Sequence, residues 1–352
     1  MDLEVTFLGT GASAPSARRS TAAVLIARGG DRLLFDCGEG TQRQMQKSLG
    51  LTQVDEIYLT HYHADHMMGL PGLLKTYDLT DREVPLRVFG PPGLKELFTI
   101  LRPLIGRLRY PVELTELRPG ERVDHDEYAV ESFEAAHNVR ASGWSLVEDE
   151  RPGRFDPEAA KAAGVREGPD FARLQGGEEV EGSKGTVAPE QVMGESRPGR
   201  IVVITGDTAP SPATVAAAAD ADLLIHDSSF TEEDAQRAAE TGHSTVGQAA
   251  AVAAEAHVKL LALVHISARY HVGKVLEEAR EICPDCVAPR DFDQIVIPLP
   301  ERGKPELIPD GARRRHAQPA PEEDRDGGGP RPRARERGTD ASSTEPPPGT
   351  AE

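Results

Sequence analysis

Thr60-His61-Tyr62-His63-Ala64-Asp65-His66 puts three imidazoles and one carboxylate within six positions, directly after the apolar run Ile57-Tyr58-Leu59. A strand that ends in such a cluster projects nitrogen and oxygen ligands from a tight loop. Imidazole and carboxylate suit zinc and similar divalent ions, and no thiolate lies in the cluster. The alternating pair His61 and His63 can reach one ion; the adjacent pair Asp65 and His66 can reach a second. A solvated loop that happens to be rich in histidine is the bland alternative, but four ligand-type residues at this spacing rarely arise without a metal.

A two-ion site needs further ligands. His137, Asp207 and His265 each stand where an apolar run stops, after Tyr128 to Ala136, Ile201 to Ile204 and Leu260 to Val264. Taken singly, each reads as an ordinary loop residue. Together they repeat one pattern, a buried-type strand followed by a ligand-type residue, and strand ends on one edge of a sheet can converge in space.

The elements that must position these residues follow from periodicity and turn signals. Leu3 to Leu8, Thr21 to Ala27, Arg32 to Asp36 and Glu56 to Thr60 read as strands, with a hairpin signal at Gly29-Gly30. Gly40 to Leu49, Met68 to Thr76 and Gly93 to Leu101 read as helices, with a short strand at Val88-Phe89. Later, the strands at Ile201 to Ile204, Leu223 to Ile225 and Leu260 to Val264 alternate with alanine-rich helices at Pro212 to Ala219, Glu232 to Glu240 and Thr245 to His257. Ile295 to Ile297 reads as the last strand. This alternation indicates an α/β fold with sheets covered by helices. Residues 148–200 break the pattern, being rich in Gly, Pro and charge, with at most one short helix at Pro157 to Ala163; they read as a weakly structured, protruding arm. Residues 309–352 turn to Arg, Pro, Gly and acids, a composition expected to be disordered. The folded catalytic domain is therefore expected over 1–308, with the arm inserted in it.

The chain of 352 residues carries a formal net charge of −18, which is unusual for a protein that binds nucleic acid by a broadly basic face. It does not exclude a nucleic-acid enzyme, because bound divalent ions and local arginines can hold phosphates on an acidic body. Three cysteines, Cys37, Cys283 and Cys286, are too few and odd in number for a disulfide framework, and point to a reducing compartment. No signal peptide and no membrane-spanning run is apparent, so a cytoplasmic location is expected.

The phrase Thr60 to His66 resembles the signature of the metallo-β-lactamase superfamily. With Phe7-Leu8-Gly9-Thr10-Gly11, Phe35-Asp36-Cys37-Gly38-Glu39-Gly40-Thr41-Gln42, Thr205-Gly206-Asp207-Thr208 and Gly242-His243-Ser244-Thr245, the chain resembles the ribonuclease Z family over roughly residues 1 to 300. These endonucleases remove 3′ trailers from precursor tRNA. The resemblance implies an αββα sandwich and two zinc ions per subunit. His61, His63 and His137 would hold one ion; Asp65, His66 and His265 would hold the other; Asp207 would bridge them. Two such ions, about 3.5–4 Å apart, clamp the attacking and leaving oxygens of a phosphodiester. Asp65 would act as general base and His243 as general acid. The arm would be the family's tRNA-clasping extension, with Gly168-Pro169 as its Gly-Pro element, in a homodimer where one subunit's arm serves the other's site.

The chain departs from the family pattern at Arg19 in the loop Pro15 to Ser20. It departs again at His226-Asp227-Ser228-Ser229, where relatives often read His-Glu-Ala-Thr, so that an acid orienting His243 would be one methylene shorter. Two other readings stand beside the nuclease. One is a small-molecule metal hydrolase on the same fold. The other is a catalytically silent RNA-binding protein.

Overall fold

The computed structural model describes residues 1–312, so most of the tail expected over 309–352 lies outside the described residues. In chain order the strands are β1 (Leu3–Gly9), β2 (Ala23–Arg28), β3 (Asp31–Phe35), β4 (Glu56–Tyr58), β5 (Leu86–Gly90), β6 (Val112–Glu116), β7 (Arg122–Asp124), β8 (Tyr128–Ala135) and β9 (Ala141–Glu148). There follow β10 (Val180–Gly182), β11 (Gly185–Val187), β12 (Ile201–Ile204), β13 (Leu223–Asp227), β14 (Leu261–Val264), β15 (Cys286–Val287), β16 (Gln294–Val296) and β17 (Glu306–Ile308).

Two mixed sheets face each other. The first has eight strands in the order β17-β16-β1-β2-β3-β4-β5-β6; the second has seven in the order β15-β14-β13-β12-β9-β8-β7. Strand faces explain the stacking. On β12, Val202 and Ile204 enter the core between the sheets, while Val203 faces the covering helices. On β3, Leu33 and Phe35 point inward and Leu34 outward. Both faces are apolar because both are covered, which is why these strands read as unbroken hydrophobic runs. Helices Thr41–Ser48, Leu70–Leu79 and Leu94–Ile105 cover the first sheet. Helices Pro212–Ala217, Val246–Glu255 and Val272–Arg280 cover the second. The result is the αββα sandwich that the sequence resemblance implied.

The reading of the sequence missed several elements. β6 alternates half-buried and exposed positions and pairs only at the edge of its sheet. β9 sits between β8 and β12, yet carries Ser, Gly and Ser among its apolar residues, so its own composition argues against a central strand. Gly143 is needed there: an added Cβ would meet the Phe133 ring at 2.0 Å. The helix Val272–Arg280 and the edge strand β17 were also not foreseen.

The insertion corrects the sequence-based expectation most clearly. Residues 148–200 hold two short helices, Pro157–Ala162 and Pro169–Gln175, and the hairpin of β10 with β11. They enclose a small core of Ala160, Val165, Leu174, Val180, Val187 and Val192. These apolar residues are few and irregularly spaced, so no periodicity announces them. A stalk connects the module to the body through bridges at Arg151 with Arg197 and Phe155 with Met193. At its root, buried Glu148 accepts from Arg28 Nε at 2.8 Å and Arg200 Nε at 2.7 Å. Arg200 also donates to the carbonyls of Met1 and Ile297, tying the stalk to the chain just before β1 and just after its neighbour β16.

Candidate metal centre

All seven ligand-type residues expected from the sequence come together. His61 follows β4, His137 follows β8, Asp207 follows β12 and His265 follows β14, so strand ends of both sheets meet at one edge. His61, His63, His137 and Asp207 offer ligand atoms that all lie within 4.8 Å of one another; Asp65, His66, Asp207 and His265 do the same. Asp207 belongs to both groups.

The turns that aim these side chains are tightly specified. His265 takes a left-handed backbone with φ 57°, as does Asp36 after β3, also at 57°. Gly206, at φ 60°, brings the chain against Thr60; a Cβ there would stand 2.6 Å from the Thr60 side chain. A conventional side chain would push Asp207 and Thr60 apart.

Hydrogen bonds orient four of the five imidazoles through Nδ1. His66 Nδ1 donates to Asp36 Oδ2 at 2.7 Å, and His265 Nδ1 donates to Ser229 Oγ at 2.8 Å. His137 Nδ1 donates to the Gly242 carbonyl at 2.7 Å. Thr60 Oγ1 donates to Asp36 and so accepts from His61 Nδ1 at 3.0 Å. In their neutral forms these four rings turn a bare Nε2 into the site. His66 Nε2 and His265 Nε2 then face each other at 3.3 Å, and His137 Nε2 faces His63 Nδ1 at 3.4 Å. Two bare nitrogens at such distances repel unless a proton or a metal ion lies between them. Buried His61 Nε2 and Asp207 Oδ1 also have no hydrogen-bond partner among the described residues. The donor set of imidazoles and carboxylates therefore fits divalent metal.

The electrostatics agree. Burial acts against the His66 imidazolium, yet Asp207 and Asp36 lift it well above the ordinary histidine range. Burial is likewise outweighed at His265, which Asp207, Asp227 and Asp65 raise to about 10. The field favours positive charge here, which a metal ion would supply. His61 is shifted the other way, held neutral by burial and by neighbouring His66. Asp207, although buried, is held well below the carboxylate range by His265, His66 and His61. Asp65 falls to about 2 despite its burial, through His265 and His66, and its Oδ2 accepts from the Ser13 amide at 2.9 Å.

His243 lies beside this centre. Its Nδ1 donates to Asp227 Oδ2 at 2.8 Å and is 4.0 Å from Asp207 Oδ2. The shorter acid at position 227 thus reaches His243 directly. Asp227 is fully buried and accepts also from the amides of Thr208 at 3.2 Å and Ser229 at 3.0 Å. Burial lowers the His243 imidazolium, and Asp227 more than compensates, leaving it raised.

Sequence reasoning did not single out the supporting residues Thr60, Ser229, the Gly242 carbonyl and the carboxylate of Asp36. Asp36 did carry a signal, since it too follows an apolar strand. Cys37 is buried, as expected for a packing residue, and burial pushes its thiol up to about 12. Cys283 and Cys286 are buried free thiols. Of the cations on the insertion, Arg173 pairs with Asp170 and Glu178, Lys161 with Glu158 and Glu167, and Arg151 with Glu301. Arg154 and Arg166 are exposed.

A family model for the metallo-beta-lactamase superfamily matches residues 17–241. The chain is 47% identical over 307 residues to Ribonuclease Z of Natronomonas pharaonis, covering 86% of this chain and 100% of that protein. It is 45% identical over 305 residues to Ribonuclease Z of Myxococcus xanthus, covering 85% and 99%. Among solved structures it resembles human tRNase Z, short form, with a TM-score of 0.61 and 28% identity over 84% of this chain and 99% of that one.

Proposed function

Because the chain belongs to the metallo-β-lactamase superfamily and, within it, to the ribonuclease Z family, we infer that it is a metal-dependent endoribonuclease that removes the 3′ trailer from precursor tRNA. Hydrolysis leaves a 3′-hydroxyl on the tRNA and a 5′-phosphate on the trailer. The observation that carries the reading is the convergence of seven ligand-type side chains around the shared carboxylate of Asp207.

The residues are assigned roles as follows. His61, His63 and His137 would hold one zinc ion, Asp65, His66 and His265 a second, with Asp207 common to both. When bound, the pair of ions supplies Lewis acidity to both the attacking and the leaving oxygen of the phosphodiester. Asp65, ionised and anchored by the Ser13 amide, takes the proton of the attacking water. His243 delivers a proton to the departing O3′. Its Nδ1 is committed to Asp227, so Nε2 is the nitrogen that faces substrate. Asp227, with five donors within 3.4 Å of its two oxygens, is kept ionised and fixes the His243 ring.

The insertion is assigned to tRNA binding remote from the reacting phosphate. It enters β12 at Ile201, whereas Asp207 lies beyond the other end of that strand. The module and the metal centre thus sit at opposite ends of the second sheet. This separation favours a homodimer in which each insertion serves the partner's site. We assign the enzyme to the cytoplasm; no helix among the described residues is long and apolar enough to cross a membrane.

The test is to incubate zinc-loaded protein with a trailer-bearing precursor tRNA and sequence the new ends. A single cut after the discriminator nucleotide, lost in His61→Ala, is expected. Removing residues 151–197 should abolish that cut while sparing hydrolysis of bis(p-nitrophenyl) phosphate. Equal loss of both would favour a small-molecule hydrolase, and an uncut precursor would end the nuclease reading.

A further inference from the structure

Ser229 stands between a metal ligand and the acid that orients the proton donor. His265 Nδ1 is 3.7 Å from Asp227 Oδ1, too far for a direct hydrogen bond. The Ser229 hydroxyl spans that gap: Oγ lies 2.6 Å from Asp227 Oδ1 and 2.8 Å from His265 Nδ1. The Ser229 amide also donates to Asp227 Oδ1, at 3.0 Å, so the hydroxyl is fixed relative to the carboxylate. Its neighbour Ser228 grips the residue before the ligand, donating through both N at 3.0 Å and Oγ at 2.7 Å to the Val264 carbonyl. Consecutive serines thus hold consecutive residues at the end of β14. Ser229 and Asp227 are both buried, which shields the chain of bonds from water.

A hydroxyl has a single hydrogen. With that hydrogen on the carboxylate, Ser229 presents only a lone pair to the imidazole. His265 must then carry its own hydrogen on Nδ1, and in the neutral ring Nε2 is the bare nitrogen turned to the site.

We propose that Ser229 is a positioning residue for the second ion, its hydroxyl fixing the tautomer and ring orientation of His265 and tying that ligand to the same Asp227 carboxylate that holds His243. This rests on the two-ion reading above. Asp227 is then a common anchor, with Oδ2 serving the proton donor and Oδ1, through Ser229, serving a metal ligand. Losing the hydroxyl leaves a buried N–H without a partner and frees His265 to adopt the other tautomer.

The experiment compares Ser229→Thr, which keeps the hydroxyl, with Ser229→Val, which keeps the shape of threonine without it, and with Ser229→Ala. Full-length protein is titrated with Zn2+ against a chromogenic chelator, and bound metal is counted by mass spectrometry. The Val and Ala variants should lose about 10–100-fold in affinity for one of two ions, with the other unchanged, and Thr should restore parental binding. Thermal unfolding without added metal identifies a variant that fails to fold; if Ala does so, the Thr and Val pair decides. Parental affinity for both ions in Ser229→Val would overturn the proposal. Equal weakening of both ions, failure of Thr to rescue, or binding of fewer than two ions by the parent would also overturn it. RNA cleavage plays no part in this readout. A protein that binds two ions but leaves precursor tRNA uncut would sink the nuclease reading and leave the Ser229 result standing.

Discussion

Replacing His243 by alanine should separate the proposed proton delivery from the metal-holding task of the site. The side chain is largely buried but contributes no atom to the two groups centred on His61 and His66. Its removal leaves Asp227 with the Thr208 and Ser244 amides on Oδ2 and the Ser229 donors on Oδ1, so the carboxylate stays supported. The fold should lose one charge-assisted hydrogen bond, about 1.5–3 kcal/mol. A positioned general acid contributes about 10²–10⁴-fold to rate, equivalent to about 3–5 kcal/mol of barrier. That contribution matters only when the leaving oxygen needs a proton. The ribose O3′ does; p-nitrophenolate does not. At saturating zinc, single-turnover cleavage of precursor tRNA should therefore fall by the full factor, while hydrolysis of bis(p-nitrophenyl) phosphate falls by less than about tenfold. Equal losses on both substrates would refute the assignment of His243 as proton donor and leave it a structural or binding residue.

Asp207→Asn should lower the affinity for both ions together, measurable as loss of bound zinc on dialysis, because this carboxylate belongs to both ligand groups. Glu148 gives a pH dependence. Burial would raise its carboxyl, but Arg200 and Arg28 hold it below the usual range, so its stabilising effect is complete above about pH 4.3 and fades as pH falls through the lowered folded value. Urea unfolding from pH 6 to pH 3 should show that loss; Glu148→Gln should remove this part of the acid sensitivity and cost about 3–5 kcal/mol at neutral pH, by leaving buried Arg200 without a carboxylate partner while Arg28 keeps Glu127. Gly206→Ala should destabilise by more than about 1 kcal/mol, from the left-handed backbone and the contact with Thr60, and should weaken zinc binding as well; an unchanged melting temperature would argue against the turn geometry described here.

Much of the centre was legible because ligands follow apolar runs. Ile57-Tyr58-Leu59 before the histidines, Ile201 to Ile204 before Asp207, and Leu260 to Val264 before His265 each announced a buried strand and then a polar residue that a core would not tolerate. The supports were hidden for a different reason. Ser229, Thr60 and the Gly242 carbonyl act through hydrogen bonds between residues far apart in the chain, and serine, threonine and glycine are common in any loop. The insertion was hidden because its core rests on six scattered small residues rather than on a repeating stripe. β9 was hidden because its burial is imposed by β8 and β12 on either side, not by its own hydrophobicity.

His61, His63, Asp65 and His66 come from loops of the first sheet, and His137, Asp207 and His265 from loops of the second. Each ion would therefore act as a rivet through the seam of the sandwich, at the end opposite the Glu148 ion pairs, joining halves that elsewhere adhere mainly through non-directional oily contact. Rigidity at that rim and catalytic competence would then have a single supply, and a cell starved of metal would hold a looser protein as well as a silent one.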